Sequence, residues 1–345
     1  MPSSLRWLIC GTFPEPEARP GRDEDPPALF GRVSVSLKAG AALRAGDAPG
    51  TVAGAAPGAA PGTAEQTRPG QAGPADCLII EREGASEVRL PIGRGTPALA
   101  AAAALTAAEC GAPAPYVLLA QDNGQGQGSR AVYRYLLENA ASLGMAGLTF
   151  HYLLPDVDWH NRLLIALEDL EPRPLLCADA GFMYAAKMSG YAAEYDLFTP
   201  DIGELAFLAD EKAPHPFYTR GFLLAREDEA PDLLARAYAN DNAARTMIVK
   251  GRTDLVARSG RILHSVDYPM IPNLEPIGGT GDSVAGTVTG LLSAALPMDR
   301  ACLLACLAVR FMGQLCQPSP ATQIAELLAQ LPGGLRLAFQ EESQR

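Results

Sequence analysis

The composition of this 345-residue chain narrows the classes of protein to which it can belong. Its formal net charge of −11 argues against a nucleic-acid binder, because an acidic surface repels an extended run of phosphates. A hydrophobic fraction of 48% is ample for a substantial core, so we expect one catalytic domain. Seven cysteines without metal-like pairs favour a reducing compartment over a disulfide framework. The N-terminal apolar stretch is too short to span a membrane, and we expect a cytoplasmic protein.

Short strand patterns and low-complexity sequence make up the N-terminal part of the chain. The stretches "LRWLICGTF" and "GRVSVSLKAG" predict strands, which assigns residues 1–38 to N-terminal strands. Residues 39–74 are dominated by Ala, Gly, Pro and Thr and predict a disordered insertion, because they cannot bury enough apolar surface to offset their ordering entropy. Two further strands are predicted in "DCLIIEREGASEVRLPIG". We expect these strands to form a small sheet or lid beside the main sheet.

Strand and helix patterns alternate through the rest of the chain. The predicted elements are strands at 116–120, 148–154, 175–178 and 196–199 and helices at 129–141 and 160–170. Such alternation is typical of βαβ units, which build a parallel sheet with helices on both faces. Ligands of such sheets bind beyond the carboxyl ends of the strands. Residues 75–335 are therefore assigned to the catalytic domain and residues 336–345 to a flexible tail.

The segment 277–286, with the sequence IGGTGDSVAG, leads directly into an apolar helix pattern. In it Gly279, Thr280 and Gly281 allow successive N–H groups to converge on one anion, and the helix dipole favours negative charge at the same place. Asp282 is the one residue of this turn that can remove a proton. A donor cradle beside a base is the minimal equipment for moving a phosphoryl group onto a hydroxyl. The alternative is that Asp282 only caps the helix.

Three stretches resemble the ribokinase-like superfamily. "GGTGDSVAGTVTGLL" resembles its signature turn, "DLFTPDIGEL" its strand ending in Thr-Pro before a Gly-Glu helix start, and "TMIVKGRTDLV" its strand ending in Lys-Gly before a hairpin. Over roughly the second half of the chain, the sequence is most similar to the branch of ADP- or ATP-dependent NAD(P)H-hydrate dehydratases. The resemblance implies a three-layer ribokinase-like α/β fold with a central, mostly parallel sheet and small N-terminal β elements.

The resemblance also implies an activity. ATP or ADP, with Mg²⁺, would phosphorylate the hydroxyl of hydrated NAD(P)H, after which phosphate leaves. In this reaction Asp282 takes the hydroxyl proton and the amides of the turn hold the transferred charge. Two alternatives stay open, a kinase for a sugar, vitamin or nucleoside and a non-catalytic nucleotide sensor. The expected partner is a small molecule, and the sequence leaves open whether copies of the chain form a homo-oligomer.

Further candidate residues lie at predicted strand ends. Lys250, followed by Gly251, ends an apolar strand and is placed to reach nucleotide phosphates. Asp179 also ends an apolar strand. The resemblance implies that it lies near the active site, and the alternative is that it caps the following helix. Asp201 and Glu204 stand three apart at a helix start. The resemblance implies that Glu204 helps organise metal-bound phosphates, and the alternative is that both carboxylates complement the helix dipole.

Arginine and histidine side chains complete the set of candidates. Arg94 precedes an Ala-rich helix and is placed to meet a phosphate or carboxylate, although close packing of that helix against the sheet explains the glycines around it equally well. His151 lies inside an apolar run, where we expect a satisfied buried histidine rather than a catalytic one. Because His160, His215 and His264 have no partner at metal spacing, the sequence predicts no metal ligands.

Overall fold

Eleven strands and ten α-helices are found in the part of the chain that the computed structural model describes, which is residues 6–14, 26–37, 76–215 and 225–344. The strands are β1 Trp7–Phe13, β2 Leu29–Ser36, β3 Cys77–Glu81, β4 Val88–Pro91, β5 Tyr116–Gln121, β6 Gly147–His151, β7 Leu175–Ala178, β8 Leu197–Phe198, β9 Thr246–Val249, β10 Asp254–Arg258 and β11 Arg261–Val266. The helices are α1 Thr96–Glu109, α2 Gln127–Leu143, α3 Val157–Glu168, α4 Gly181–Met188, α5 Ile202–Ala209, α6 Ala230–Ala239, α7 Thr280–Ser293, α8 Met298–Cys316, α9 Ile324–Leu328 and α10 Leu331–Glu342. The insertion predicted at 39–74 lies outside the described residues. None of the described helices is long and apolar enough to cross a lipid bilayer.

All eleven strands belong to one sheet, in the order β11-β10-β9-β8-β7-β6-β1-β5-β2-β3-β4. The six strands from β9 to β5 in that order run parallel. β10 and β11 extend one edge in antiparallel fashion, and β2, β3 and β4 extend the other. The predicted α/β class with a mostly parallel central sheet is confirmed.

The expectation that the N-terminal strands form a separate small sheet or lid is wrong. β1 lies in the middle of the sheet, where Leu8 faces Tyr116 of β5 on one side and Leu148 of β6 on the other. Every residue of β1 is buried, and β2 to β4 continue the same sheet outward from β5. Strand pairing joins distant parts of the chain, so the local apolar pattern of β1 carries no information about its neighbours. The sheet therefore includes strands from both 1–38 and 75–335.

Helices cover both faces of the sheet and give the molecule three layers. The core under α1, α7, α8, α9 and α10 receives Trp7, Ile9 and Phe13 from β1. The core under α2 to α6 receives Leu8 and Cys10 from the same strand. This alternation follows from the two-residue period of a strand, which sends successive side chains to opposite faces. Burying a large apolar side chain of this kind contributes roughly 1.5–3 kcal/mol.

The prediction of a flexible tail at 336–345 is wrong for its larger part, because α10 continues to Glu342. Leu335 and Ala338 of α10 are fully buried against α8 and its neighbours. On the solvent side, Nη1 of Arg336 lies 2.8 Å from Oε1 of Glu109. The spacing of three between the buried positions places them on one face of a helix, and this face closes the core at the end of the chain.

Helices α1 and α7 pack at unusually short range, because each presents small residues to the other. A Cβ atom added at Gly286 of α7 would collide with the carbonyl oxygen of Leu99 and lie 2.7 Å from Cβ of Ala102. One turn later, a Cβ at Gly290 would lie 2.6 Å from the carbonyl oxygen of Ala103. The Ala-rich sequence of α1 and the glycines of α7 therefore set the distance between these two helices.

We expect Gly286→Ala to lower the free energy of unfolding by about 1–3 kcal/mol, the usual cost of forcing an extra methyl group into a packed core. This loss would occur although alanine is intrinsically the better helix former by about 1 kcal/mol. Chemical denaturation measures it. The control is Gly93→Ala, because a Cβ at Gly93 has no neighbouring atom within 4 Å. Equal stability of the two variants would contradict the close packing of α1 on α7.

Candidate active site

The glycine-rich turn is built as a helix start with open amide groups. Gly279 has φ 106°, in the left-handed region, and a Cβ there would lie 2.7 Å from Cγ1 of Ile324, so both conformation and space require glycine. The hydroxyl of Thr280 donates to the carbonyl oxygen of Ile277 at 3.1 Å and thereby shapes the turn. No acceptor for the Gly281 N–H is found among the described residues. Such first-turn N–H groups are free to bind an anion.

The carboxylate of Asp282 points away from its own helix. Oδ2 accepts a hydrogen bond from the Gly95 N–H at 2.6 Å, and Oδ1 lies 3.1 Å from Nε2 of His151. The N-cap of α7 is Gly279, without a side-chain capping bond, so the capping alternative for Asp282 does not describe this contact. Burial raises the pKa of the Asp282 carboxyl, but the hydrogen bonds from His151 and Gly95 and the charge of Lys250 outweigh burial and lower it below its usual value.

A buried ion pair lies next to this carboxylate. Nζ of Lys250, directly after β9, lies 3.0 and 3.1 Å from the two carboxylate oxygens of Asp179, directly after β7. Burial lowers the pKa of the Lys250 ammonium, but the carboxylates of Asp179 and Glu204 outweigh burial and raise it. The helix after Asp179 has Ala180 at its N-cap and no side-chain cap, so pairing with Lys250 rather than capping describes Asp179. Nζ of Lys250 would lie 3.6 Å from a Cβ at Gly281, so the ammonium borders the glycine-rich turn.

The loop after Lys250 is fixed to α8 by one arginine. Nε of Arg310 lies 2.8 Å from Oδ2 of Asp254, and its Nη2 donates to the carbonyl oxygens of Gly251 and Arg252 at 3.0 and 2.8 Å. The Gly251 N–H, which the sequence assigned to nucleotide binding, donates to Oδ1 of Asp254 at 3.0 Å. The Gly251 N–H therefore helps to hold the loop, and binding of nucleotide phosphates by Lys250 stays a prediction.

Asp201 and Glu204 form a capping box at the start of α5. Oδ1 of Asp201 accepts from the Glu204 N–H at 2.8 Å, and Oε2 of Glu204 accepts from the Asp201 N–H at 2.9 Å. The capping alternative thus describes Asp201. Glu204 is buried and also accepts from the Tyr184 hydroxyl at 3.2 Å. Burial, together with the nearby carboxylates of Asp179 and Asp201 and against the charge of Lys250, raises the pKa of Glu204 to about 8.

Arg94 is placed beside the same turn. Its Cδ atom would lie 3.3 Å from a Cβ at Gly278, and the side chain is exposed. The following helix, α1, packs closely on α7, so the packing explanation for the glycines around Arg94 holds as well. The tight helix packing brings Arg94 next to the turn, and contact of its guanidinium with a phosphate or carboxylate stays a prediction.

Two cavities adjoin the charged groups. The larger, of about 720 Å³, is lined by apolar groups that include Phe13, Tyr152, Leu154 and Tyr184 and by polar groups that include Arg94, Gly95, Thr96 and Glu204. The smaller, of about 350 Å³, is lined by Lys250, Gly251 and Arg252 together with Ile202, Val249 and Met270. Glu204 thus lines the larger, mainly apolar cavity, and Lys250 lines the smaller one.

His151 is the site residue whose role sequence reasoning missed. It is fully buried and hydrogen-bonded, as expected, but its partners are the carboxylate of Asp282 and the hydroxyl of Thr96, which lies 2.9 Å from Nδ1. The strand predicted at 148–154 ends at His151 in the structure, which puts this residue at the carboxyl edge of the sheet. A shorter strand in the prediction would have placed it among the candidates.

A metal-like cluster also involves this histidine. One ligand atom each of His151, Asp179 and Asp282 lies within 4.8 Å of the others. In the structure these atoms already have hydrogen-bond partners, since Lys250 pairs with Asp179 and the imidazole contacts Asp282. A set that contains an imidazole also differs from the all-oxygen ligands that Mg²⁺ prefers.

Known proteins resemble this chain at two levels. No protein-family model matches it. It is 37% identical to Uncharacterized protein MJ1337 of Methanocaldococcus jannaschii over 220 residues. This matched region covers 64% of this chain and 90% of that protein. A ribokinase-like superfamily protein from Enterococcus faecalis superimposes with a TM-score of 0.50 at 15% identity, over 70% of this chain and 82% of the other. The pyridoxal kinase of Staphylococcus aureus, solved with AMP-PCP and pyridoxal, gives a TM-score of 0.42 at 17% identity, over 61% of this chain and 80% of the other. The superposition with the Enterococcus faecalis protein confirms the ribokinase-like fold.

The raised pKa of Glu204 predicts a pH dependence of stability. Between pH 4.5 and about 8 the folded protein holds a proton on Glu204 that the unfolded chain has lost, so stability falls as pH rises, by up to about 1.4 kcal/mol per pH unit from this group. Glu204→Gln, which cannot ionise, should show a flatter profile in denaturant titrations across this range. Glu83→Gln, at an exposed position, is the control and should follow the wild type. Parallel profiles for all three proteins would contradict the raised pKa.

Proposed function

The chain belongs to the same family as the Methanocaldococcus jannaschii protein and has the ribokinase-like fold, and from this premise we propose that it transfers a phosphoryl group from a nucleotide to a hydroxyl of a small molecule. The observation that supports this proposal most is the position of the Asp282 carboxylate. It stands at the start of α7, beside the open Gly281 amide and close to the ammonium of Lys250. A base and a set of positive groups therefore meet at one point, as phosphoryl transfer to a hydroxyl requires.

The proposal assigns one cavity to each of the two substrates. The larger cavity, which includes Gly95 next to Asp282, would hold the small molecule with its hydroxyl toward the carboxylate. The smaller cavity would hold the nucleotide, since Lys250 faces it and its other walls include the apolar side chains of Ile202 and Met270. The nucleotide phosphates would extend from this cavity past the Lys250 ammonium to the glycine-rich turn.

The chemistry at Asp282 is a proton transfer coupled to bond formation. Asp282 accepts the hydroxyl proton as the hydroxyl oxygen bonds to phosphorus and the bond between phosphorus and the leaving nucleotide oxygen breaks. The amides at Gly279 to Gly281 and the Lys250 ammonium stabilise the negative charge of the transferred group. When bound, ATP or ADP supplies the phosphoryl group, and Mg²⁺ offsets charge on its phosphates. Glu204 would hold Mg²⁺ through its carboxyl oxygens only after losing its proton, a loss that the positive charge of the ion would favour.

The finer proposal is that the acceptor is hydrated NAD(P)H and that the protein is a dehydratase. It is supported by the resemblance of the Thr280-containing turn and of the Lys250-Gly251 pair to that branch. After phosphorylation, the lone pair of the ring nitrogen expels phosphate, and the neighbouring ring carbon then loses a proton to restore the double bond of the nicotinamide ring. The departing phosphate would accept this proton, so the proposal assigns no second protein base.

A kinase that keeps its phosphorylated product is the second candidate. It is supported by the apolar walls that Phe13, Tyr152 and Leu154 give the larger cavity, which suit a compact, partly apolar alcohol. Both candidates share the first step at Asp282. They differ only in whether the acceptor carries an electron pair that can expel the new phosphate.

Asp282→Asn tests the shared step. The amide keeps the size of the side chain but removes its basicity, so we expect the rate to fall by roughly 10²–10⁴-fold with nucleotide binding retained. The assay supplies ATP or ADP with hydrated NADH and follows the absorbance of the restored nicotinamide. Pyridoxal, ribose and adenosine are tested in parallel for phosphorylated product.

Each outcome of this assay selects one function. Recovery of NADH that needs both the nucleotide and Asp282 supports the dehydratase, and a lasting phosphorylated product supports the kinase. An Asp282→Asn variant as active as the wild type would remove the general base from the proposal. A wild type that binds nucleotide but acts on no acceptor would instead favour the nucleotide sensor.

The Lys250 ammonium is tested in a variant that avoids an unpaired buried charge. Breaking a buried pair by removing one partner costs about 3–5 kcal/mol, so Lys250→Met alone would confuse binding with folding. The double variant Asp179→Asn/Lys250→Met removes both charges. We expect it to fold and to bind ATP about 10–100-fold more weakly in calorimetry, because one charge-assisted contact to phosphate is lost.

Lys212→Met is the matched control, since Lys212 is exposed and lines neither cavity. It should bind ATP as the wild type does. An unchanged affinity in the double variant would place Lys250 outside the nucleotide site.

A further inference from the structure

A chain of three hydrogen-bonded side chains leads from the core to the proposed base. Oγ1 of Thr96 lies 2.9 Å from Nδ1 of His151, whose Nε2 lies 3.1 Å from Oδ1 of Asp282. Thr96 and His151 are both fully buried. The three residues come from the start of α1, the end of β6 and the start of α7, so they connect both neighbouring helices to the centre of the sheet.

The neighbouring strand makes room for this contact. A Cβ atom at Gly11 of β1 would lie 2.6 Å from Cγ2 of Thr96 and 2.6 Å from the carbonyl oxygen of His151. Only glycine fits there without a shift of the backbone. Gly11 is an otherwise unexplained glycine in the middle of a buried strand, where glycine usually weakens pairing. Its position indicates that the approach of Thr96 to His151 is built into the fold.

The chemistry of the partners fixes the direction of the hydrogen bonds. An ionised carboxylate only accepts, so Nε2 of His151 must carry the proton that Oδ1 of Asp282 receives. In a neutral ring Nδ1 then accepts from the Thr96 hydroxyl. The other oxygen of Asp282 receives the Gly95 N–H. Each carboxylate oxygen has further lone pairs, so two donors hold the group in place and still leave it able to accept the proton of a substrate.

We propose that His151 is the positioning residue of Asp282, holding its carboxylate ionised and in a fixed orientation toward the acceptor hydroxyl, while Thr96 fixes the tautomer of the imidazole. This inference rests on the proposed phosphoryl transfer. His151 itself does not touch the substrate. Its hydrogen bond replaces part of the hydration that Asp282 loses on burial, and so it counteracts the tendency of a buried carboxyl to keep its proton.

Other charged groups near Asp282 also affect its ionisation, each in the direction that its own charge determines. The charged and titratable side chains that face it are His151 at the end of β6, Tyr152 after it, Lys250 after β9 and Asp179 after β7. The ammonium of Lys250 favours the ionised form of Asp282, whereas the carboxylate of Asp179 opposes it. Asp179 is itself paired with Lys250, so these two charges largely offset each other at Asp282. The hydrogen bond from His151 is therefore a contribution that mutation can isolate.

The test compares two substitutions at His151 with two at another buried histidine. His151→Leu removes the donor, and His151→Gln retains an N–H group at about the position of Nε2. His160→Leu and His160→Gln are the controls, because His160 is equally buried but belongs to a separate network with Tyr195 and Ser189. Carbon-13 NMR of labelled aspartate carboxyls, with Asp282 assigned through Asp282→Asn, reports its titration directly without any acceptor.

We expect the midpoint of the Asp282 titration to rise by about one pH unit or more in His151→Leu and to return toward the wild-type value in His151→Gln. The acid limb of kcat/KM should move to higher pH by the same amount, because activity needs the ionised base. Both His160 variants should keep the wild-type midpoint and limb. An unchanged Asp282 midpoint in His151→Leu would overturn the inference.

Two further results keep the test decisive. If His151→Leu does not fold, Thr96→Val takes its place, because it preserves the shape of the side chain and removes only the hydroxyl that orients the ring. Independently, nitrogen-15 NMR of the wild type must find the proton of His151 on Nε2. A proton on Nδ1 of a neutral ring contradicts the inference. If the wild type is active and the acid limb of His151→Leu does not move, only the role of His151 is contradicted. If the wild type phosphorylates none of the acceptors, both the proposed function and this inference are contradicted.

Discussion

The ion pair between Lys250 and Asp179 is the contact on which the candidate site depends. Parallel strands deliver both groups to the same sheet edge, because β9 and β7 end there. One ammonium faces the carboxyl groups of Asp179, Glu204 and Asp282. Three ionised carboxylates beside one ammonium would leave a buried excess of negative charge. Their environments therefore favour different protonation states. Burial moves Glu204 toward its protonated form, whereas the N–H of His151 keeps Asp282 ionised. Unequal carboxyl groups of this kind are typical of acid–base sites.

The helix pair α1 and α7 converts this arrangement of charges into a site with fixed geometry. Glycines 286 and 290 let α7 approach α1 until their backbones touch, and the starts of both helices then lie side by side. Only at this distance does the N–H of Gly95 reach Asp282, 2.6 Å away. The same contact places Arg94 beside the open amides of the turn. Small residues buried away from the Asp282 carboxylate thus help to determine its position. A substitution that changes the packing of the helix pair should therefore also change the geometry of the site.

How much of this the sequence predicts depends on whether the signal is local. Alternating strands and helices, the glycine turn and the charged residues at strand ends are local patterns. They identified the parallel sheet and most of the residues that the structure brings together around Asp282. Strand pairing is not local, so the central place of β1 could not be read from its apolar sequence. The contact between His151 and Asp282 joins residues 131 positions apart and was missed for the same reason. The end of β6 at His151 was also misjudged, since Tyr152, with φ 50°, turns the chain out of a strand that its apolar residues would continue.

The choice between dehydratase and kinase lies in the acceptor rather than in the protein groups around Asp282. Both reactions begin with the same proton transfer, and a base whose pKa is held below its usual value suits a step in which the hydroxyl proton leaves late, after bonding to phosphorus has begun. Such a base cannot activate an alcohol strongly in advance, so specificity must come from placing the hydroxyl. On the proposed function, the walls of the larger cavity do this. Phe13, Tyr152 and Tyr184 give it apolar faces, and polar side chains that include Arg94, Asp122 and Ser129 line it as well. An acceptor that carries both an apolar ring and polar groups beside its hydroxyl would match such walls, whether or not a ring nitrogen then expels the phosphate.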